Sequence, residues 1–426
     1  MYFRIVSDKE TVRRIFPANS RGSGNSFLKL AKPENIMKYD FDELTDRKGS
    51  NSCKWDLDTD PEMLPMWVAD MDFRTALPIR QAVEKLVADG IFGYPAIPEK
   101  YYEAVSGWFE RRYGWKIEKE WTICTPGIVP ALSAIIKALT SPGEKVIVQG
   151  PVYNSFYSTI MNNGCEPLSN PLVRTGDSYT MDYQDLEEKA SRQDVRLMIL
   201  CNPHNPAGRV WTREELQKAG EICLRHNVTV IADEIHCDLT YREHKYTPFA
   251  SISEEFEKRC IVCNSASKTF NIAGLPVSNV ICADSTMRTA IETAVRQNEI
   301  KEVSFLGIEA TVAAYTEGEE WLEQLLEYLN GNYLYMKDFC HSELPDFPIA
   351  ELEGTYLAWM DCRCLGLKSS EIDSRLRSDV KLRLNSGEIY GPEGEGFMRW
   401  NLACPRTRLE DGLKRFRRFV LSLKSE

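Results

Sequence analysis

Apolar and polar residues repeat along this chain with two periods. Short runs rich in β-branched residues at 121–124, 145–149, 195–201, 227–232, 260–264 and 278–282 read as strands, and amphipathic stretches at 78–90, 99–113, 129–140 and 213–225 follow the helical period. Strands alternating with helices predict a doubly wound, mostly parallel sheet flanked by helices. After about residue 300 the pattern changes to long helical stretches within 304–338, strand-like segments at 354–360 and 396–402, and an amphipathic helix at 407–424. The expected class is α/β, with a large domain over 86–295 and a smaller α+β domain over 296–426. From Met37 to about Phe73 no period is visible, but the segment holds Trp55, Trp67 and the compact run Leu64-Pro-Met-Trp-Val-Ala-Asp-Met-Asp-Phe73. Residues 37–85 are therefore expected to pack with the small domain.

The first 36 residues differ from the rest. They carry seven Lys/Arg against three Asp/Glu and the flexible run Ser20-Arg-Gly-Ser-Gly-Asn-Ser26, which reads as a poorly structured basic arm. An organelle-targeting peptide is one reading, opposed by Asp8 and Glu10; an extension upstream of a natural start at Met37 is the other.

Composition narrows the function. With 426 residues, 43% hydrophobic and 27% charged, the chain can bury sizeable cores. A net charge of -11 opposes nucleic acid or an anionic membrane as main partner, which leaves a small-molecule enzyme. Thirteen irregularly spaced cysteines point to a reducing cytoplasm rather than a disulfide framework. No run approaches the ~20 apolar residues of a membrane span. Cys260-x-x-Cys263 sits in a strand-like run and reads as buried thiols, not a metal site.

Candidate chemistry gathers where strands end. The run closing at Asn264 leads through Ser265-Ala-Ser to Lys268. A lysine at such an end borders the ligand crevice of an open α/β sheet and, once desolvated, can form a Schiff base with an aldehyde cofactor; a solvated loop lysine is the plain alternative. Thr125-Pro-Gly127-Ile128-Val129-Pro130 places glycine at a strand-to-helix turn, where backbone N–H groups and the helix dipole can receive a phosphate. Tyr153, after Gly150-Pro-Val, can stack on a flat cofactor or pack in the core. Asn205, in the second of two Asn-Pro steps, can donate to a phenolate-like oxygen or merely shape the turn. Asp233 can pair with a protonated ring nitrogen or act as a cap, and His236 can bond a cofactor or belong to the core. Tyr94, in Gly90-Ile-Phe-Gly-Tyr94-Pro, reads as core.

Asn205-Pro-Ala-Gly208, Asp233-Glu-Ile-His236, Ser265-Ala-Ser-Lys268 and Phe397-Met-Arg399-Trp-Asn401 follow one another in an order and spacing that resembles the fold-type I pyridoxal-phosphate enzymes of the aminotransferase class I/II superfamily. Within it the chain is similar to the cystathionine β-lyase branch of the MalY/PatB type. That likeness rests on Leu64 to Phe73, Gly90-Ile-Phe-Gly-Tyr94, Cys201-Asn-Pro-His-Asn-Pro, Ser265-Ala-Ser-Lys-Thr-Phe-Asn-Ile-Ala-Gly274 and Asn401-Leu-Ala-Cys-Pro405. It covers Met37 to the C-terminus and leaves out the basic arm.

The resemblance implies an aspartate-aminotransferase-like fold and pyridoxal 5'-phosphate as cofactor. Lys268 would be the Schiff-base lysine, Asp233 the partner of the pyridine nitrogen, and Asn205 and His236 the neighbours of the ring oxygen. Tyr153 would stack on the ring, and Gly127, Ile128, Val129 and Ser265 would hold the phosphate. Tyr94 would reach the phosphate of the neighbouring subunit of a homodimer, and Arg399 would receive the α-carboxylate of an amino-acid thioether. Two departures from typical aminotransferases, His236 in place of tyrosine and Pro276 in place of arginine, agree with the lyase branch. The implied reaction is β-elimination, for L-cystathionine to homocysteine, pyruvate and ammonia. The alternatives are an aminotransferase, a regulatory protein-binding role beside the lyase activity, and a Ser-x-x-Lys hydrolase, which lacks its accompanying motifs.

Overall fold

The computed structural model describes residues 39–241 and 243–423, so the arm expected over 1–36 lies outside the described residues. Seven strands form the large sheet: β1 (Thr122–Thr125), β2 (Lys145–Val148), β3 (Glu166–Ser169), β4 (Val195–Cys201), β5 (Thr229–Asp233), β6 (Cys260–Asn264) and β7 (Ser278–Ile281), in the spatial order β1-β7-β6-β5-β4-β2-β3. Alternate residues of the central strands enter different cores. Ile199, Ile231 and Ile261 pack on one face, and Leu200, Ala232 and Val262 on the other. Burial on both faces is why these strands read as continuous β-branched runs rather than as alternating apolar and polar positions.

One strand departs from the parallel pattern. β7 runs antiparallel to both of its neighbours, β1 and β6. The connection from β6 to β7 contains just the four-residue helix Ala266–Thr269, too little to form the helical crossover that a parallel return requires. The reversal has a use: Ser278, the first residue of β7, lies opposite Thr125, and its Oγ accepts the Gly127 N–H at 3.1 Å.

Three further strands, β8 (Leu357–Asp361), β9 (Asn385–Ser386) and β10 (Phe397–Asn401), form an antiparallel sheet in the order β8-β10-β9. The helical pattern of 304–338 resolves into two helices, Phe305–Glu317 and Glu319–Glu343. They break at Gly318, where a Cβ would come within 2.6 Å of the Phe270 ring.

The segment from Tyr39 to Phe73 is irregular but firmly bound. Leu64–Pro65 pairs in parallel with Leu382–Arg383. Asp72, buried, accepts from Lys54 Nζ at 3.1 Å and Trp55 Nε1 at 2.9 Å and meets Arg408 Nη1 at 3.2 Å. Burial raises the Asp72 carboxyl, but Lys54 and Arg408 more than offset it and hold it below the usual carboxylate range. Asp72→Ala would leave the equally buried Lys54 with only the more distant Asp70 at 3.7 Å, and removing one partner of a buried pair costs about 3–5 kcal/mol. The expected result is a Tm lowered by roughly 4–6 °C; an unchanged Tm in thermal unfolding would show that the cluster contributes nothing.

Candidate active site

The carboxyl ends of β1, β2, β4, β5 and β6 open toward one cavity of about 420 Å³. Lys268, Gly127, Ile128, Val129, Tyr153, Asn205, Asp233, His236, Ser265 and Arg399 all line it. Tyr94 does not. It stands 92% exposed in the turn after the helix Leu77–Asp89, which ends at Gly90 in the left-handed region, and the core position read for it is corrected.

Lys268 sits in the short helix after β6, which Ser265 caps by accepting the Ser267 N–H at 3.1 Å. The Ser265 hydroxyl itself donates to the Val277 carbonyl at 2.6 Å, so its proton is committed within the fold. Lys268 Nζ donates to the Ala69 carbonyl at 2.7 Å. Burial and the Arg399 guanidinium lower its pKa to about 8, while Asp70 and Asp233 oppose the shift. An ordinary lysine is almost wholly charged at neutral pH, whereas this one is readily available as a free amine.

Asp233 closes β5. Its one side-chain hydrogen bond among the described residues comes from the Ile235 N–H at 3.2 Å. Burial raises its pKa to about 7, against the Ile235 hydrogen bond and the Lys268 charge. A carboxyl in this state gains from any cationic donor brought beside it. His236 is driven the other way, to about 3, by burial and then by Lys268 and Arg399. It is neutral at physiological pH, and among the described residues its buried Nδ1 has no hydrogen-bond partner.

Arg399, on β10, lies over the Tyr390 ring at 5.1 Å. Its Nη1 donates to Asn205 Oδ1 at 3.1 Å and its Nη2 to the Trp67 carbonyl at 2.7 Å. It forms no ion pair with any described residue, which leaves a buried guanidinium facing a cavity with its charge uncompensated. Gly127 enters the helix Ile128–Leu139 at φ 128° with no side-chain cap, so first-turn N–H groups remain open to an anion.

This donor set fits pyridoxal phosphate. It offers a low-pKa amine for an aldehyde, a buried acid for a ring nitrogen, an uncapped helix start for a phosphate and a vacant guanidinium for a carboxylate. Sequence reasoning missed the Trp67 and Ala69 carbonyls, because backbone contributions have no residue signature. It also missed Asn385, which donates to the Trp67 carbonyl at 2.9 Å and to Tyr390 Oη at 3.0 Å. A tyrosine before Gly391-Pro392 marks a turn, but nothing in one sequence ties that turn to this cavity.

Comparison with known proteins places the chain among enzymes of this chemistry. The family model described as "Aminotransferase class I and II" matches residues 63–416. The chain is 43% identical over 381 residues to cystathionine beta-lyase PatB of Bacillus subtilis, covering 88% of this chain and 98% of that protein. It is 32% identical over 381 residues to protein MalY of Escherichia coli, covering 88% and 97%. Among solved structures it is similar to cystalysin from Treponema denticola, which contains a pyridoxal 5'-phosphate cofactor, with a TM-score of 0.88 and 32% identity over 91% of this chain and 100% of that one. It is also similar to the PLP-bound C-S lyase from Staphylococcus hominis, with a TM-score of 0.84 and 31% identity over 90% and 99%.

Proposed function

The chain belongs to the aminotransferase class I and II family, and on that premise we propose that it is a pyridoxal-phosphate-dependent carbon–sulfur β-lyase that cleaves cysteine thioethers such as L-cystathionine to a thiol, pyruvate and ammonia. The observation that carries the reading is the convergence of Lys268, Asp233 and Arg399 on one cavity.

Pyridoxal phosphate, when bound, supplies an electron sink for a carbanion beside an imine nitrogen. Lys268 would hold it through its side-chain amine and would take the substrate's α-proton as general base, a task suited to an amine with a pKa of about 8. Asp233 would hold the ring nitrogen protonated. Ile128 and Val129 would present N–H groups to the phosphate; Gly127, whose own N–H goes to Ser278 Oγ, would let it approach the backbone, and Ser265 would lie beside them. Asn205 would face the ring oxygen with its amide donor, His236 would flank it, and Tyr153 would stack on the ring. Arg399 receives the α-carboxylate and fixes the α-hydrogen toward Lys268. The C–S bond would then break, the sulfur leaving as a thiolate that takes up a proton, and one water would hydrolyse the released aminoacrylate to pyruvate and ammonia.

Arg399→Leu is expected to lower kcat/KM about 100-fold, mainly through KM, since a desolvated ion pair with the substrate is lost. A steady-state series with KM unchanged would remove Arg399 from that role.

The homodimer and the cytoplasmic location belong to the same reading. Ile91, Phe92 and Tyr94 are 77%, 64% and 92% exposed, an apolar turn suited to a neighbouring subunit, where Tyr94 would meet the phosphate. Among the described residues no helix is long and apolar enough to cross a membrane. The reaction is tested by mixing protein, pyridoxal phosphate and L-cystathionine without a keto acid. Equal release of pyruvate and homocysteine is expected. No release, with amino transfer once a keto acid is added, would make the protein an aminotransferase.

A further inference from the structure

The cavity sorts its charges by depth. Its charged lining residues are Asp233, Lys268 and Arg399, of which Asp233 and Arg399 are buried. The lining residues that remain exposed are Cys53, Val129, Asn154, Ala273, Pro276 and Ile389, and none of them carries a charge. Several charged side chains near this rim are engaged elsewhere. Lys54, next to Cys53, pairs with Asp72 at 3.1 Å and Asp70 at 3.7 Å, and Asp70 pairs with Arg47 at 2.8 Å. Arg383 lies over the Trp67 ring at 3.7 Å and pairs with Asp58 at 2.7 Å. Glu388, beside Ile389, is exposed and does not line the cavity.

Resting on the lyase reading above, we propose that this uncharged rim is the subsite for the sulfur substituent, so that the enzyme prefers cysteine thioethers with uncharged alkyl or aryl tails over L-cystathionine. An amino acid needs the deep charges for its α-amino and α-carboxylate groups. The far half of cystathionine brings a second ammonium and carboxylate, and the exposed lining residues offer no opposite charge to either. An alkyl tail instead covers apolar rim surface as it leaves water. The exposed turn of Ile91, Phe92 and Tyr94, proposed to approach the neighbouring site, is uncharged as well.

The test compares S-butyl-L-cysteine with L-cystathionine, which match in chain length, on the cofactor-loaded enzyme. Pyruvate release is followed for both, with 2-aminooctanoate and diaminosuberate as matched competitive inhibitors that have no leaving group. The expected kcat/KM is about tenfold higher for the butyl substrate, and the aminooctanoate Ki lower by a similar factor, which is what burying about two methylene groups contributes. Ile389→Arg should shrink both ratios at least about threefold by giving the distal carboxylate a partner. Equal or better handling of cystathionine and diaminosuberate, or ratios unmoved by Ile389→Arg, would overturn the proposal and leave the lyase reading standing. Pyruvate from neither substrate would overturn the lyase reading itself.

Discussion

Lys268→Ala is expected to abolish β-elimination, with pyruvate release falling at least about 10⁴-fold. Two functions go at once, because the same amine attaches the cofactor and moves the α-proton. The fold should survive. Lys268 makes one hydrogen bond, to the Ala69 carbonyl, and Tyr356 Oη also donates to that carbonyl, at 2.9 Å. Circular dichroism should therefore match the wild type while turnover is lost. Retained turnover in a well-folded variant would remove Lys268 from the chemistry.

Asp233→Asn should act with opposite signs on stability and activity. The Asp233 carboxyl has a folded pKa of about 7 against an ordinary 3.8, because burial disfavours its charge. An acid with a raised folded pKa binds protons more tightly in the folded state, so its penalty is absent below about pH 4 and grows as pH rises toward 7. Cofactor-free Asp233→Asn escapes that penalty and keeps an oxygen for the Ile235 N–H. Its Tm at pH 8 should exceed that of the cofactor-free wild type, by a stability of a few kcal/mol at most, and the advantage should shrink as the pH is lowered toward 4. With cofactor and substrate the order reverses, since the amide holds the ring nitrogen's proton poorly, and kcat should drop about 10²–10³-fold. Thermal unfolding of both cofactor-free proteins at pH 5 and pH 8 provides the check. A lower Tm for the variant at pH 8 would mean that the carboxylate is already compensated in the cofactor-free fold.

Much of this site was legible because its chemistry sits at strand ends, where turn residues leave a local signature. Asn205 stands between two prolines, Gly127 opens a helix, and Lys268 follows a run of small polar residues, each within a few positions of a readable strand. Less legible were contributions that arise from tertiary contacts. The reversal of β7 depends on a connection too short to cross over. The Trp67 and Ala69 carbonyls and Asn385 enter the site from segments far apart in the chain. The helix Ser285–Gln297 was missed because its buried face is only Ile291, Ala294 and Val295 amid polar residues. The sequence placed Tyr94 in the core since an aromatic in a turn is usually covered, and here no part of the described chain covers it.

The most direct measurement is reduction of the cofactor-loaded protein with borohydride, which freezes the carbon–nitrogen bond between cofactor and protein, followed by peptide mapping by mass spectrometry. The expected result is a single modified residue, Lys268. A label on another lysine, or none at all in protein that has bound the cofactor, would contradict the assignment of this cavity as the active site.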